Sequence, residues 1–235
     1  MSDGKTFLDP WTAVRVDSIS ISELANAGVL FIWVVFVVTL LTKKLYDFMK
    51  SRSLPHNIII YYNRKIIHAL TGGVVAILVP FMFSSPWLPF GFAMLLAVFT
   101  YFPHKTGKLF YWFQDPENIY EVHFCIMWGF SILASWLFFG DMKFAIVPTA
   151  FMSFGDGITG VVRNLIYRRR TKAWAGNLAM ALVCVPTGYA IAGVWGGLAG
   201  IVSSVIEHFE FKPLDDNITV PLSALLVLLA GRAAG

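Results

Sequence analysis

Apolar runs of membrane-crossing length alternate with short polar breaks along nearly the whole chain. They predict helical spans at 23–41, 66–83, 87–102, 122–139, 144–162, 176–192, 194–206 and 219–234. The seventh run is shorter than the ~20 residues a straight crossing needs, so seven or eight spans are expected. The fold class that follows is all-α, a polytopic integral membrane helical bundle. It is organised as a polar N-terminal tail over 1–22 and one transmembrane domain over 23–235. No cleaved signal peptide is expected, since the tail lacks a basic stretch leading into an apolar core with a small-residue cleavage site.

The polar breaks also alternate in length. Connections two, four and six are tight turns near Ser84-Ser85, Gly140-Asp141 and Gly193, whereas one, three, five and seven are long and polar. The long ones and their helix ends hold 14 of the 18 Lys and Arg residues, leaving only Lys5, Arg15, Lys143 and Arg232 elsewhere. By the positive-inside rule the long loops are expected in the cytoplasm and both termini on the opposite side.

Composition narrows the class further. With 57% hydrophobic, 16% aromatic and 14% charged residues among 235, the chain is unlike soluble domains, whose apolar share is about 45–50%. The net charge of +4 raises the question of nucleic acid, but the basic residues sit at the ends of apolar spans, so membrane lipid is the expected anionic neighbour. Cys125 and Cys184 both fall inside apolar runs and read as small core hydrophobes.

Three polar clusters stand out against this background, and the topology puts all three on one face. The first is Ser153-Phe-Gly-Asp-Gly-Ile-Thr-Gly-Val-Val-Arg-Asn164, which places Asp156 in the last turns of a membrane helix. An acid there costs about 2.5–3.5 kcal/mol by insertion scales unless it is compensated. Asp156, Thr159, Gly160 and Arg163 share a helix face, so the acid either pairs with Arg163 or holds a metal ion or polar substrate. Gly155, Gly157 and Gly160 allow close approach of a neighbouring helix or a polyanion. Of the basic residues that follow, Arg168 to Arg170 suit lipid headgroups, while Arg163 and Lys172 are placed to reach phosphates.

The second cluster is Tyr62-Asn-Arg-Lys-Ile-Ile-His68, where Arg64 and His68 share a face and Lys65 points about 100° around. The third is Glu207-His-Phe-Glu-Phe-Lys-Pro-Leu-Asp-Asp-Asn-Ile-Thr-Val-Pro221. One of Asp215, Asp216 and Asn217 serves as a helix cap, and the remainder offer hard oxygen ligands of the kind Mg²⁺ uses beside substrate phosphates. Oxygen ligands on two helix ends and cations on two others make an inventory for phosphoryl or nucleotidyl transfer. No glycine-rich loop of Walker spacing is present.

These residues resemble the integral-membrane CTP-dependent polyprenol kinases, the group of dolichol kinase, phytol kinase and CTP-dependent diacylglycerol kinase, and more distantly the CTP-using phosphatidate cytidylyltransferases. The family's Arg-Lys-x-x-His falls on Arg64, Lys65 and His68, and its Gly-Asp on Gly155 and Asp156. Its lysine segment falls on Lys172 and Gly176, and its Asp-Asp-Asn-Leu-Thr-Val-Pro on Asp215 to Pro221 with Ile218 for leucine. The resemblance runs from about Tyr62 to Leu222. Thr159 and Arg163 stand where the family has alanine and glycine, and Ala173, Ala175 and Gly176-Asn177 stand in its lysine segment, so that Ala175 replaces a glutamate.

What the resemblance implies is transfer of the γ-phosphoryl group of CTP to an isoprenoid or similar lipid alcohol. Asp156, Asp215 and Asp216 would hold Mg²⁺, and His68 or one of the aspartates would orient or deprotonate the alcohol. Arg64, Lys65, Gly155, Thr159, Arg163, Lys172, Gly176, Asn217 and Thr219 would make up the nucleotide site. A cytidylyltransferase would use the same constellation but release pyrophosphate. A transporter would use Asp156 as an ion site, although no inverted pair of interrupted helices is evident.

Overall fold

Ser20 opens the first helix with a capping box: its hydroxyl accepts from the Glu23 N–H, and the Glu23 carboxylate accepts from the Ser20 N–H. The structure, a computed structural model, describes residues 19–167, 171–209, 211 and 214–234. Arg168 to Arg170 and Lys212, and most of the predicted tail, therefore lie outside the described residues. The helices are α1 (Ile21–Ser51), α2 (His56–Met82), α3 (Trp87–Thr106), α4 (Tyr120–Phe139), α5 (Met142–Tyr167), α6 (Trp174–Ile206) and α7 (Asp216–Ala234). Each is long and apolar enough to cross a membrane, and among the described residues there is no strand. The chain has the helices of a polytopic membrane protein.

Several boundaries differ from those predicted. The first helix runs ten residues past Leu41 to Ser51, and the second starts at His56 instead of Ile66. In the first, Lys43, Lys44 and Lys50 are good helix formers whose stems stay on apolar surface, and in the second Ile59, Ile60 and Asn63 give the extension a buried face at helical spacing ahead of Arg64 and Lys65. Arg64, Lys65 and His68 consequently sit inside one continuous helix. The tight turns fall where expected, at Ser84-Ser85, at Gly140, which ends α4 at φ 69°, and at Gly193, while Gly107 ends α3 at φ 72° ahead of the long third connection. Glu23 ties the bundle together at the end opposite the polar clusters, accepting from the Ser84 N–H at 2.7 Å and the Ser84 hydroxyl at 2.8 Å.

The predicted sixth and seventh runs together make α6, and α6 is folded back on itself. Ala192 and Gly193 leave helical geometry, Gly193 at φ 58°. Beyond that point the arms 174–191 and 194–206 lie antiparallel, because Asn177 Nδ2 donates to the Ser204 carbonyl at 2.6 Å. In a straight helix those groups would be about 40 Å apart. Counted as arms, the chain therefore has eight segments, as the run lengths suggested at their upper limit. The arms touch backbone to backbone, with Gly188 and Gly196 each filling the space a Cβ on the other would need. Gly196→Val is expected to cost about 1–3 kcal/mol from overpacking. Gly197→Ala, whose new methyl would sit 3.7 Å from Tyr189, should be neutral, and thermal unfolding in detergent compares the two.

At the centre is α5. Phe151 packs with Met180, Cys184 and Val220 on one side, while the next residue, Met152, packs with Phe124, Trp128 and Val79 on the other. Cys184 is buried there as a core hydrophobe, and both cysteines are free thiols. The 107–119 connection is fixed as a wall at the polar end. Trp112 Nε1 donates to the Val38 carbonyl, and Asn63 Nδ2 donates to the Thr42 and Trp112 carbonyls. Gln114 joins Thr100 to Glu121, whose carboxylate also meets His104.

Candidate active site

Helices α2 and α5 each carry a π-helical turn, His68–Gly73 and Phe151–Gly155, and these turns pack against each other. The contact is close because Gly72 lies on Phe124 and Ser153, and Gly73 on the Phe154 ring, with no room for a Cβ at either. One turn toward the polar end, Lys65 on α2 and Asp156 on α5 face each other, with Nζ to Oδ2 at 2.5 Å. Beyond that pair the helices bound a cleft of about 1370 Å³. Its other walls are residues 115–120, His123, Thr171, Lys172, Glu207 and 214–217. The ends of all four long connections thus meet at one face of the bundle, as the alternation of loops predicted.

The acid that sequence reasoning singled out does not pair with the partner weighed for it. Asp156 and Arg163 are seven residues apart, which is about 10.5 Å of helix rise and too far for an aspartate to bridge. Lys65 takes Asp156, and Arg163 grips Glu207 with both terminal nitrogens, at 2.8 and 2.7 Å. Lys172 bridges Glu207 at 2.8 Å and Asp216 at 2.7 Å. Asp156, Glu207 and Asp216 each offer a carboxylate oxygen within 4.8 Å of the others. Three acids so close would repel one another, and Lys65, Arg163 and Lys172 compensate them one for one. Burial works against the Lys172 ammonium, but Asp216 and Glu207 outweigh it and hold its pKa above the ordinary lysine value.

Glu207 was not among the predicted site residues, nor were Asn177 and His123. Asn177 accepts from Arg163 and donates to Glu207 at 3.0 Å. Glu207 thus supplies a buried carboxylate beside the lysine segment in which Ala175 stands for a glutamate. Ala175 itself faces the other way, into an apolar groove with Trp174, Leu178 and Ile201. The signal in the sequence was an acid at the foot of an apolar run, which looks the same as any loop carboxylate until the hairpin returns it to Lys172.

The other predicted residues divide in two. Arg64, Lys65, Thr159, Arg163, Lys172 and Asn217 line the cleft, whereas Gly155, Gly176 and Thr219 lie behind its wall. Gly155 packs on Cys184 and Met180, and Gly176 underlies the Arg163 side chain. The Thr159 hydroxyl donates to the Asp156 carbonyl of its own helix. Arg64 stands 4.7 Å over the Tyr120 ring, and among the described residues its Nη1 has no hydrogen-bond partner. His68 is buried and stacked on Phe124 at 3.9 Å. Asp215 turns away from the acid trio to His123, with Oδ2 to Nδ1 at 2.8 Å. Burial pushes the Asp215 carboxyl above its usual pKa, and the His123 hydrogen bond opposes that rise.

The arrangement can hold a polyphosphate: fixed cations, a trio of hard oxygen ligands and an open side for an acceptor. Among curated proteins, the chain is similar to probable phytol kinase 3, chloroplastic, of Glycine max, at 28% identity over 198 residues. The match covers 70% of this chain, which spans about 61% of the length of that protein. No protein-family model matches the chain, and no solved structure does.

Proposed function

We propose that the chain is a membrane-embedded lipid-alcohol kinase that transfers the γ-phosphoryl group of CTP to an isoprenoid alcohol at the cytoplasmic face. The observation that carries this reading is the meeting of Asp156, Glu207 and Asp216 with Lys65 and Lys172 in one cleft. Phosphoryl transfer asks a protein chiefly to position donor and acceptor and to neutralise charge, and those residues are suited to both tasks. The three carboxylates fit Mg²⁺, which favours oxygen ligands and keeps part of its shell for substrate phosphates. Bound there with the nucleotide, the ion would supply charge neutralisation at the phosphates.

Within the protein, Lys65 and Lys172 are the cations free to exchange a carboxylate for a phosphate, because their flexible stems carry point charges. Arg163 is fixed by its two-pronged grip on Glu207 and holds that acid in place. Arg64, which lines the cleft and whose buried Nη1 has no partner among the described residues, is a further phosphate ligand. CTP as donor follows from the resemblance in the Arg64, Asp156 and Asp215 segments. A phytol-like prenol as acceptor is in keeping with the name of the soybean relative. The cytoplasmic setting follows from the basic residues of the long loops.

The test is purified protein in detergent with γ-labelled CTP, Mg²⁺ and a panel of phytol, geranylgeraniol and dolichol. Labelled lipid phosphate with CDP as leaving product is the expected result. Pyrophosphate with a CDP-lipid would instead mark a cytidylyltransferase, and no product with any acceptor would end the kinase reading.

A further inference from the structure

Three histidines, His56, His68 and His123, line the cleft, and their surroundings suit them for different work: His56 is exposed and meets the Tyr46 hydroxyl with Nδ1 at 2.7 Å. Both ring nitrogens of His68 are buried and without a partner among the described residues, and its ring is closed in against Phe124. His123, on the first turn of α4, lines the cleft with 27% of its side chain exposed. Its Nδ1 meets the carboxylate of Asp215, which when ionised can only accept, so Nδ1 carries the hydrogen and Nε2 the lone pair. Among the described residues Nε2 makes no hydrogen bond, and it is not a buried atom. Asp215 and Asp216 are consecutive, and their side chains diverge, one to His123 and the other to Lys172. A single peptide unit therefore holds an oriented imidazole beside the acid trio.

We propose that His123 is the proton acceptor of this site, taking the hydroxyl proton of the lipid alcohol at Nε2, with Asp215 as a positioning residue that fixes its tautomer. The inference rests on the kinase reading above. In the step, the alcohol oxygen forms a bond to the γ-phosphorus. The bond from that phosphorus to the β–γ bridging oxygen breaks. The bridging oxygen leaves with the electron pair in the nucleoside diphosphate, and the proton passes to Nε2. The acids Asp156, Glu207 and Asp216 are engaged by Lys65, Arg163 and Lys172, and among the three cleft histidines it is His123 that a carboxylate orients, with Nε2 left open.

The whole protein in detergent serves for the test. Diethyl pyrocarbonate, mapped by mass spectrometry, should label His123 and spare His68, and geranylgeraniol should protect His123 severalfold. His123→Gln should lower kcat about 10²-fold, the lower end for general base catalysis. Its nucleotide KM and the thermal stabilisation it gains from CTP with Mg²⁺ should stay within twofold of the parent. Added imidazole should restore part of the rate to His123→Ala. Asp215→Asn should lower kcat with nucleotide KM unchanged, and imidazole should not rescue it. A His123→Gln protein with kcat within threefold of the parent overturns the assignment while leaving the kinase reading intact, and one that has lost nucleotide stabilisation shows a structural role and overturns it too. A parent protein that phosphorylates no alcohol removes the kinase reading and this step together.

Discussion

Asp156→Asn is expected to reduce lipid phosphate formation by about 10³-fold, the scale on which removing one fixed electrostatic group from a reaction centre is felt. Asparagine keeps the shape of the side chain and removes its charge. The substitution also leaves Lys65 buried beside a neutral partner, which costs about 3–5 kcal/mol when one member of a buried pair is lost. Stability and chemistry can be separated by adding Lys65→Met. Removing the stranded charge should recover most of the thermal midpoint without recovering activity. Turnover within tenfold of the parent in the single variant would take Asp156 out of the reaction.

The second large effect is expected at Glu207, which is 1% exposed and answers Arg163, Lys172 and Asn177 together. Glu207→Ala strands the buried Arg163 guanidinium, while Lys172 keeps Asp216, and should destabilise by about 3–5 kcal/mol. For a chain of this size that is a fall of about 10 °C in thermal midpoint, measured in detergent. Glu207→Gln can keep the hydrogen bond from Asn177 and should lose less. Arg163→Met in the Glu207→Ala background should regain part of the loss, because the stranded charge is then gone. If Glu207→Ala melts with the parent, the buried network holds nothing together.

The way these two residues differ shows what could be read from the sequence. Asp156 was conspicuous because an acid inside an apolar run is expensive wherever the chain goes next. The spans, the tight turns and the shared face of the long loops follow from the same local arithmetic of apolar length and basic flanks. Glu207 carries no such mark: it lies at the foot of a run, where acids are cheap, and its meaning depends on the hairpin that brings it back to Lys172. His123 is similar, since its role depends on Asp215, 92 positions away, turning toward it. Lys65 was placed off the face of Arg64 and His68 by helix geometry, yet it is Lys65 that reaches Asp156. A long flexible stem reaches across angles that a projection of Cα positions treats as separate.

The reversal at Gly193 also bears on how the chain is made. Thirteen residues, 194–206, rise only about 20 Å, so the second arm is a poor insertion signal by itself and is best delivered into lipid together with the first. Synthesis then fills the mouth of the protein in a fixed order, with Lys65, Arg163 and Lys172 emerging before Glu207 and Asp216. A nascent chain thus holds three of the cleft's cations against Asp156 alone of the acid trio and acquires its last acid when the final helix arrives, so the charge balance of the cleft is complete only once that helix has been assembled.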